Sequence, residues 1–306
     1  MLSYSINNTG NIDPICKNTK ISLILRAFSL LFKMHLFDNH NHSQFSFDGK
    51  RTSIEKCVAK AMDENLAGLA FTDHCDFFVP AIKAQNENLV PETFDIGLQQ
   101  QEIDRIQGTT DLRILKGIEI GMHEDHHDDI RRTLSENSFD QVIASVHYLD
   151  GIDPFWGGYY EDKDWKTAYG HYLETIYTEM TWLGDFDIMG HFDYVVRYAP
   201  YPQTCLKYRD FSDILDEMLK YLVQEGKALE INTKSYQDFK GREIRLDTDV
   251  LARYREIGGE IISLGSDSHD PHRVGHDFRH FASLLKSMGF RWTAHYEKRK
   301  LVQLPL

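Results

Sequence analysis

Histidine and carboxylate residues stand at or just after the ends of a series of short apolar stretches along this chain. The residues concerned are His40, His42, Asp48, His74, Glu119, His147, His191, Asp267 and His269. Most of them follow an apolar, β-branched or Gly-containing run that is typical of a buried strand. Imidazole and carboxylate groups without thiolates suit Zn, Mn, Fe or Co, and the order of affinities does not choose among these metals. We therefore expect these side chains to line one pocket that binds several metal ions.

The spacing within the set supports this expectation. His40 and His42 lie two residues apart, as do Asp267 and His269, so an extended backbone directs both members of each pair to the same side. Glu119 lies inside an apolar run, where a carboxylate is costly to bury without a cation or a hydrogen-bonding partner. A carboxylate that bridges two metal ions would remove that cost.

Several members of the set also have an ordinary structural explanation when each is taken alone. Two histidines in a strand are commonly surface or core residues, and Asp48 with Gly49 reads as a plain turn. His74 alone reads equally well as a buried, hydrogen-bonded histidine. The repetition of one pattern at successive strand ends favours the metal site over these separate explanations.

The charge of such a pocket indicates its chemistry. Three divalent ions carry +6, and the carboxylates of Asp48, Glu119 and Asp267 leave about +3, which is enough to hold a phosphate dianion. Divalent ions also lower the pKa of a bound water to about 7 and stabilise the oxygens of an in-line displacement. Hydrolysis of a phosphate ester is the predicted class of reaction.

Two further features of the sequence bear on this pocket. Arg197, six residues after His191, could hold a phosphate through both guanidinium nitrogens, or it could be a surface arginine. His123, His126 and His127 lie in an acidic stretch that predicts a solvated helix start, with an accessory metal role as the alternative. The sequence has neither a nucleophile elbow nor a glycine-rich phosphate loop.

The elements that must position these residues alternate regularly. The predicted strands are 36–40, 67–72, 112–120, 141–146, 186–190, 228–232 and 260–265. The predicted helices include 53–64, 91–107, 165–183, 211–225 and 248–257, with Thr52 or Ser53 as a cap of the first and Pro91 at the start of the second.

Strand and helix in alternation predict parallel strands with right-handed crossovers. Candidate ligands lie at or just after the carboxyl ends of six of the seven strands. A closed barrel brings all of these ends to one rim, whereas an open sheet spreads its outer strands too far apart. We therefore predict a single-domain α/β fold, a distorted TIM-like (β/α)7 barrel.

Composition narrows the possible partners. The chain has 306 residues, 42% of them hydrophobic, so it can bury a large core. A formal net charge of -13 argues against broad binding to nucleic acid or to anionic membranes. Cys16, Cys57, Cys75 and Cys205 have no paired spacing, which favours free thiols in a cytoplasmic protein.

Residues 1–33 differ in character from the rest. The apolar run within residues 20–33 is interrupted by Arg26, and it is too short and too charged for a membrane span. It is similar to a signal-peptide core, but no small-residue cleavage site follows it. We expect residues 1–33 to be an upstream extension or a disordered tail, with Met34 as the physiological start and residues 34–306 as the barrel.

Taken in order, the motifs resemble those of the polymerase and histidinol phosphatase (PHP) superfamily, and specifically its histidinol-phosphatase branch. They are Asp38-x-His40-x-His42 with Ser46-x-Asp48-Gly49, Thr72-Asp73-His74, Gly117-x-Glu119, Ser145-Val146-His147, Gly190-His191-x-Asp193 and Ser266-Asp267-Ser268-His269. The resemblance covers roughly residues 36–280 and implies a distorted seven-stranded barrel with three divalent metal ions.

The resemblance also implies how the ligands divide. The first ion would take His40, His42, Glu119 and Asp267, the second Glu119, His147 and His191, and the third Asp48, His74 and His269. Members of the superfamily often have histidine where this chain has Asp48. Arg197 matches an arginine that the branch uses near the phosphate, and residues 149–160 would form a loop over the mouth of the pocket.

The implied activity is the hydrolysis of histidinol phosphate to histidinol and phosphate, a step of histidine biosynthesis, with Asp193 or His269 passing a proton to the leaving group. A phosphatase or exonuclease that acts on nucleotides or on another small phosphomonoester is the alternative within the same chemistry. A metal-bound regulatory domain without catalysis is the alternative of another class.

Overall fold

The computed structural model describes residues 36–79 and 91–306. The expected boundary after residue 33 lies outside the described residues, as does Cys16, and both expectations stay predictions. Cys57, Cys75 and Cys205 are free thiols, as predicted. Within the described ranges, no helix has the length and apolar character needed to cross a bilayer.

Seven parallel strands form the barrel, and all seven were predicted. They are β1 (Phe37–Asp38), β2 (Gly68–Phe71), β4 (Arg113–Gly121), β5 (Gln141–Ser145), β6 (Ile188–Met189), β7 (Ala228–Asn232) and β8 (Ile262–Gly265), and they pair in that order. A short strand β3 (His74–Cys75) pairs with β4 beyond the end of β2. The two ends of the sheet meet where the Asn39 amide donates to the Leu264 carbonyl at 3.0 Å and the His42 amide to Ser268 at 2.9 Å.

Helices connect the strands and cover the barrel. They are α1 (Ile54–Asp63), α2 (Ile96–Gln107), α3 (His127–Glu136), α4 (Trp165–Leu183), α5 (Tyr194–Tyr198), α6 (Ser212–Glu225), α7 (Thr248–Glu256) and α8 (Phe278–Ser287). Ser53 caps α1, since its side chain accepts a hydrogen bond from the Lys56 amide. The polar stretch around His123 does start a helix, α3, as predicted.

The prediction that Pro91 begins the second helix is wrong. Helix α2 starts at Ile96, because the Asp95 carboxylate caps it by accepting from the Leu98 amide. Residues 91–95 lie outside the helix, and Glu92 forms an antiparallel bridge with Asp76. This bridge places Glu92 beside the carboxyl ends of the strands.

A hairpin that the sequence analysis did not anticipate closes the amino-terminal end of the barrel. Strands β9 (Trp292–Glu297) and β10 (Lys300–Pro305) pair antiparallel. The His295 ring stacks on Phe37 with centroids 4.3 Å apart, and the Asn39 side chain donates to the Ala294 carbonyl at 2.9 Å. The hairpin thus fills the end of the barrel opposite the candidate ligands.

Candidate metal centre

All nine predicted ligands converge at the carboxyl ends of the strands. His40 and His42 follow β1, His74 lies in β3, Glu119 in β4, His147 follows β5, His191 follows β6, and Asp267 and His269 follow β8, with Asp48 in the loop after β1. A cavity of about 350 Å³ opens at this end. Its lining includes Asp48, His74, His147, His191, Asp267 and His269.

Glu119 lies at the centre of the cluster and is fully buried. Its Oε2 atom lies 3.2 Å from His40 Nε2 and 3.5 Å from His42 Nε2. Its Oε1 atom lies 3.2 Å from His147 Nε2 and 3.0 Å from His191 Nε2. One carboxylate therefore faces two separate pairs of imidazoles, which is the geometry of a bridging ligand.

A third group of candidate ligands lies nearer the surface. Asp48 Oδ2 is 2.7 Å from His269 Nε2 and 3.8 Å from His74 Nε2. The other ring nitrogen of His74, Nδ1, lies 2.8 Å from Glu119 Oε2. His74 therefore joins this outer group to the central carboxylate.

The buried donor atoms fit divalent cations. His40 Nε2, His42 Nε2 and Glu119 Oε2 are buried and make no hydrogen bond within the described residues. Ligand atoms about 2.1 Å from a tetrahedral ion lie about 3.4 Å from one another, and the contacts around Glu119 span 2.8 to 3.5 Å. The side chains thus meet at the spacing of a coordination shell.

The electrostatics of the cluster favour an ionised Glu119 and a neutral His42. Burial alone would raise the pKa of Glu119, but the surrounding histidines, His40 foremost, hold it well below its usual range. Burial, together with the neighbouring His269 and His74, lowers the pKa of His42 well below its usual value. An ionised carboxylate and a neutral imidazole are the species that bind a metal ion.

Asp267 is held in an unusual backbone conformation. Its φ of 47° lies in the left-handed region, where residues other than glycine are uncommon. This conformation places Asp267 Oδ1 3.3 Å from His42 Nε2. At a functional site, the surrounding structure can enforce such a conformation.

Two residues of β7 and its following loop belong to the site but were not predicted. Lys234 Nζ lies 3.0 Å from Asp267 Oδ1 and 3.1 Å from His269 Nδ1, and the side chain lines the cavity. Glu230 is buried inside β7 and contacts His40 Nδ1 at 2.7 Å. The available signal was a carboxylate within an apolar strand, the same signal that identified Glu119.

The structure separates the residues predicted to take part in catalysis. His269 lines the cavity, whereas Arg197 and Asp193 are not among the described residues that line it. The Arg197 guanidinium donates to the main-chain carbonyls of Lys234 and Gln237. Asp193 is buried, and burial raises its pKa to about 6. Their assigned roles stay predictions.

The loop of residues 149–160 contributes one wall of the cavity through Asp153, Phe155 and Trp156. Tyr194 donates its hydroxyl to Asp153 Oδ1 at 2.9 Å, and both residues line the cavity. The wall is therefore aromatic and acidic, and Tyr194 connects it to the imidazoles, since its ring centroid lies 5.1 Å from that of His191.

Comparisons with known proteins agree with this geometry. The PHP domain family matches residues 38–234. The chain is 32% identical over 271 residues to a histidinol-phosphatase of Lactococcus lactis, covering 88% of this chain and 97% of that protein. It is 29% identical to a probable histidinol-phosphatase of Clostridium acetobutylicum, covering 86% and 98%.

A solved structure extends the comparison to three dimensions. The crystal structure of histidinol phosphate phosphatase from Lactococcus lactis, complexed with zinc, L-histidinol and phosphate, matches with a TM-score of 0.78 and 30% identity, covering 87% of this chain and 98% of that one. This chain therefore belongs to the PHP domain family, in its histidinol-phosphatase branch.

Proposed function

We propose that this chain hydrolyses L-histidinol phosphate to L-histidinol and phosphate. The observation that carries the proposal is the convergence of nine histidine and carboxylate side chains on one cavity, centred on a buried carboxylate that faces two pairs of imidazoles. The relative from Lactococcus lactis, which shares the fold over 98% of its length, has zinc, L-histidinol and phosphate bound.

Three divalent ions fit the ligand arrangement. Glu119 Oε2 with His40, His42 and Asp267 would hold the first, and Glu119 Oε1 with His147 and His191 the second. Asp48, His74 and His269 would hold the third. When bound, these ions supply a water of lowered pKa and positive charge for the phosphate oxygens.

Lys234 is suited to bind the phosphate. Its ammonium group lies at the cavity beside Asp267 and His269, where it can reach an anion held by the ions. Burial acts to lower the pKa of Lys234, but the charge of Asp267 raises it above its usual value, so the ammonium stays charged. A charged donor to a phosphate oxygen is worth about 1.5 to 3 kcal/mol.

Arg197 supports Lys234 in this arrangement, because its guanidinium holds the Lys234 main-chain carbonyl. A direct contact between Arg197 and the phosphate requires the guanidinium to exchange its carbonyl acceptors for phosphate oxygens. We retain this contact as a proposal.

The aromatic and acidic wall suits the remainder of the substrate. Histidinol phosphate carries an amine and an imidazole, which are cationic or readily protonated groups. Aromatic faces and carboxylates attract such groups, and Asp153, Tyr194 and Trp156 provide them on the wall of the cavity. Of the two residues proposed to pass a proton to the leaving oxygen, His269 lines the cavity and Asp193 does not. Because His269 would also hold the third ion, both assignments are retained as proposals.

A phosphate-release assay tests the function. Purified protein is supplied separately with Zn, Mn, Fe and Co and offered L-histidinol phosphate or a nucleoside monophosphate. We expect a higher kcat/KM for L-histidinol phosphate with at least one metal. Preferred turnover of the nucleotide would support the alternative substrate class, and a metal-loaded protein inert towards both esters would support a regulatory domain. A cytoplasmic location is part of the same proposal, and cell fractionation tests it.

A further inference from the structure

Strand β7 contributes no predicted metal ligand, yet it carries a carboxylate that contacts two of them. Glu230 is 1% exposed. Its Oε1 atom lies 2.7 Å from His40 Nδ1, and its Oε2 atom accepts a 2.7 Å hydrogen bond from the main-chain amide of His191. His40 and His191 belong to the two imidazole pairs that face opposite oxygens of Glu119.

We propose that Glu230 is a positioning residue that fixes the two ions bridged by Glu119 relative to one another. His40 Nδ1 carries the ring proton and donates a hydrogen bond to Glu230. The lone pair on Nε2, which lies 3.2 Å from Glu119 Oε2, is therefore free to bind the metal ion. The second oxygen fixes the backbone of His191 and therefore the imidazole of the other ion. The inference rests on the metal assignment made for the proposed function.

The contacts of Glu230 require a carboxylate and exclude an amide. Both oxygens accept hydrogen bonds, one from an imidazole and one from a backbone N–H. A glutamine has one carbonyl oxygen and one NH₂ group, so its oxygen can accept from only one of these partners. With the NH₂ group towards the His191 amide, two donors face each other. With the NH₂ group towards His40, the imidazole must carry its proton on Nε2, the nitrogen that would bind the metal ion. Aspartate is shorter by one methylene and cannot reach both partners from the same backbone position.

Gly265 of β8 packs directly against both Glu230 and His40. A Cβ atom at Gly265 would lie 2.2 Å from Glu230 Oε1 and 2.6 Å from the Cβ of His40. The absence of a side chain at Gly265 is what lets β8 pass this close to the pair. Glu230 and His40 are therefore held against each other by packing as well as by their hydrogen bond.

A matched buried acid separates positioning from simple stabilisation. Asp187 is 5% exposed and its Oδ2 atom accepts from the Val142 amide at 2.8 Å and from Arg299 Nε at 2.6 Å. These contacts lie at the amino-terminal end of the barrel, opposite the ligands. Replacement of Asp187 by Asn therefore disturbs a buried carboxylate of similar connectivity without touching the metal centre.

The experiment compares zinc binding by the wild type, Glu230→Gln and Asp187→Asn, using the whole chain and a competing chromogenic chelator. We expect Glu230→Gln to weaken zinc binding by about 10- to 100-fold, while Asp187→Asn lowers the melting temperature but leaves zinc affinity unchanged. Wild-type affinity in Glu230→Gln, or an equal loss in Asp187→Asn, would overturn the proposal.

A spectroscopic measurement on the wild type covers the case in which Glu230→Gln does not fold. In the zinc-loaded protein, ¹⁵N NMR of the histidine rings should show His40 protonated at Nδ1, with that proton protected from exchange. A proton on His40 Nε2 would refute the inference. Neither the zinc affinity nor the NMR measurement needs substrate. If both give the expected results but the wild type releases no phosphate from L-histidinol phosphate, the proposed function is wrong and the role of Glu230 stands.

Discussion

Replacement of Glu119 by glutamine should abolish most metal binding at the centre while leaving the fold in place. The substitution keeps the size of the side chain and the hydrogen bond that Ser145 Oγ donates to Oε1 at 2.7 Å. It removes one negative charge from a position within 3.5 Å of five imidazole nitrogens, and it removes an oxygen that can bridge.

The size of the effect follows from burial. Glu119 is fully buried, and the loss of one partner from a buried charge cluster costs about 3 to 5 kcal/mol. That range corresponds to about 10²- to 10⁴-fold in affinity for the ions. Because Glu119 serves two ions, we expect kcat/KM to fall about 10³-fold or more at a fixed metal concentration, with at least one ion lost per chain.

Elemental analysis after dialysis gives the metal content, and phosphate release from L-histidinol phosphate gives the activity. Glu179→Gln is the matched control, because Glu179 is also buried and its Oε2 atom lies 2.9 Å from His127 Nε2. Neither residue is among the described residues that line the cavity. If Glu119→Gln retains its full metal content and turnover, Glu119 does not bridge the ions and the assignment of the centre is wrong.

Three further outcomes are expected. Lys234→Met should lower kcat/KM for L-histidinol phosphate by about 10- to 100-fold, mainly through KM, because a charge-assisted hydrogen bond to phosphate is lost. Lys227→Met is the control, because the Lys227 ammonium donates to the Phe186 carbonyl. Equal losses in both variants would contradict the role of Lys234. Chelation of the metal should lower the free energy of unfolding by about 4 kcal/mol if the ions are present at a thousand times their dissociation constants, and urea denaturation that is unchanged by chelator would argue against bound metal. Asp216→Asn should lower the free energy of unfolding by at most about 1 kcal/mol at pH 7, because the hydrogen bond from Arg253 lowers the pKa of this near-surface carboxyl to about 2. The stabilisation is complete above the unfolded pKa near 4 and is lost as the pH falls towards 2. A difference between variant and wild type that grows on acidification would refute this assignment.

The sequence predicted the barrel because its strands are short apolar runs that end in chemically distinctive residues. Glu119, for example, is recognisable as a carboxylate inside an apolar run, and the structure supplies five histidine contacts from other strands and their loops. The polarity rule for parallel strands was enough to bring these residues to one rim.

The hairpin of β9 and β10 could not be predicted by the same reasoning. Its turn is formed by Lys298 and Arg299, both with positive φ, of 51° and 63°. Turns of this kind usually contain Asn-Gly or Asp-Gly, and a Lys-Arg pair gives no such signal.

The roles of Glu230 and Lys234 depend on partners far away in sequence. Glu230 acts through His40, 190 residues earlier, and Lys234 through Asp267, 33 residues later. Neither residue matches a ligand motif on its own strand. Pro91 was misplaced for a related reason, because the bridge of Glu92 to Asp76 overrides the local preference of proline for a helix start.

The hairpin at the amino-terminal end of the barrel also determines how molecules enter and leave. The Phe37–His295 stack and the Asn39 hydrogen bond fill that end, and the cavity opens at the other, within the part of the chain that the structure describes. The substrate and both products must therefore pass through the same opening of the cavity. Free phosphate bound there competes directly with the next substrate molecule, so we expect inorganic phosphate to inhibit competitively.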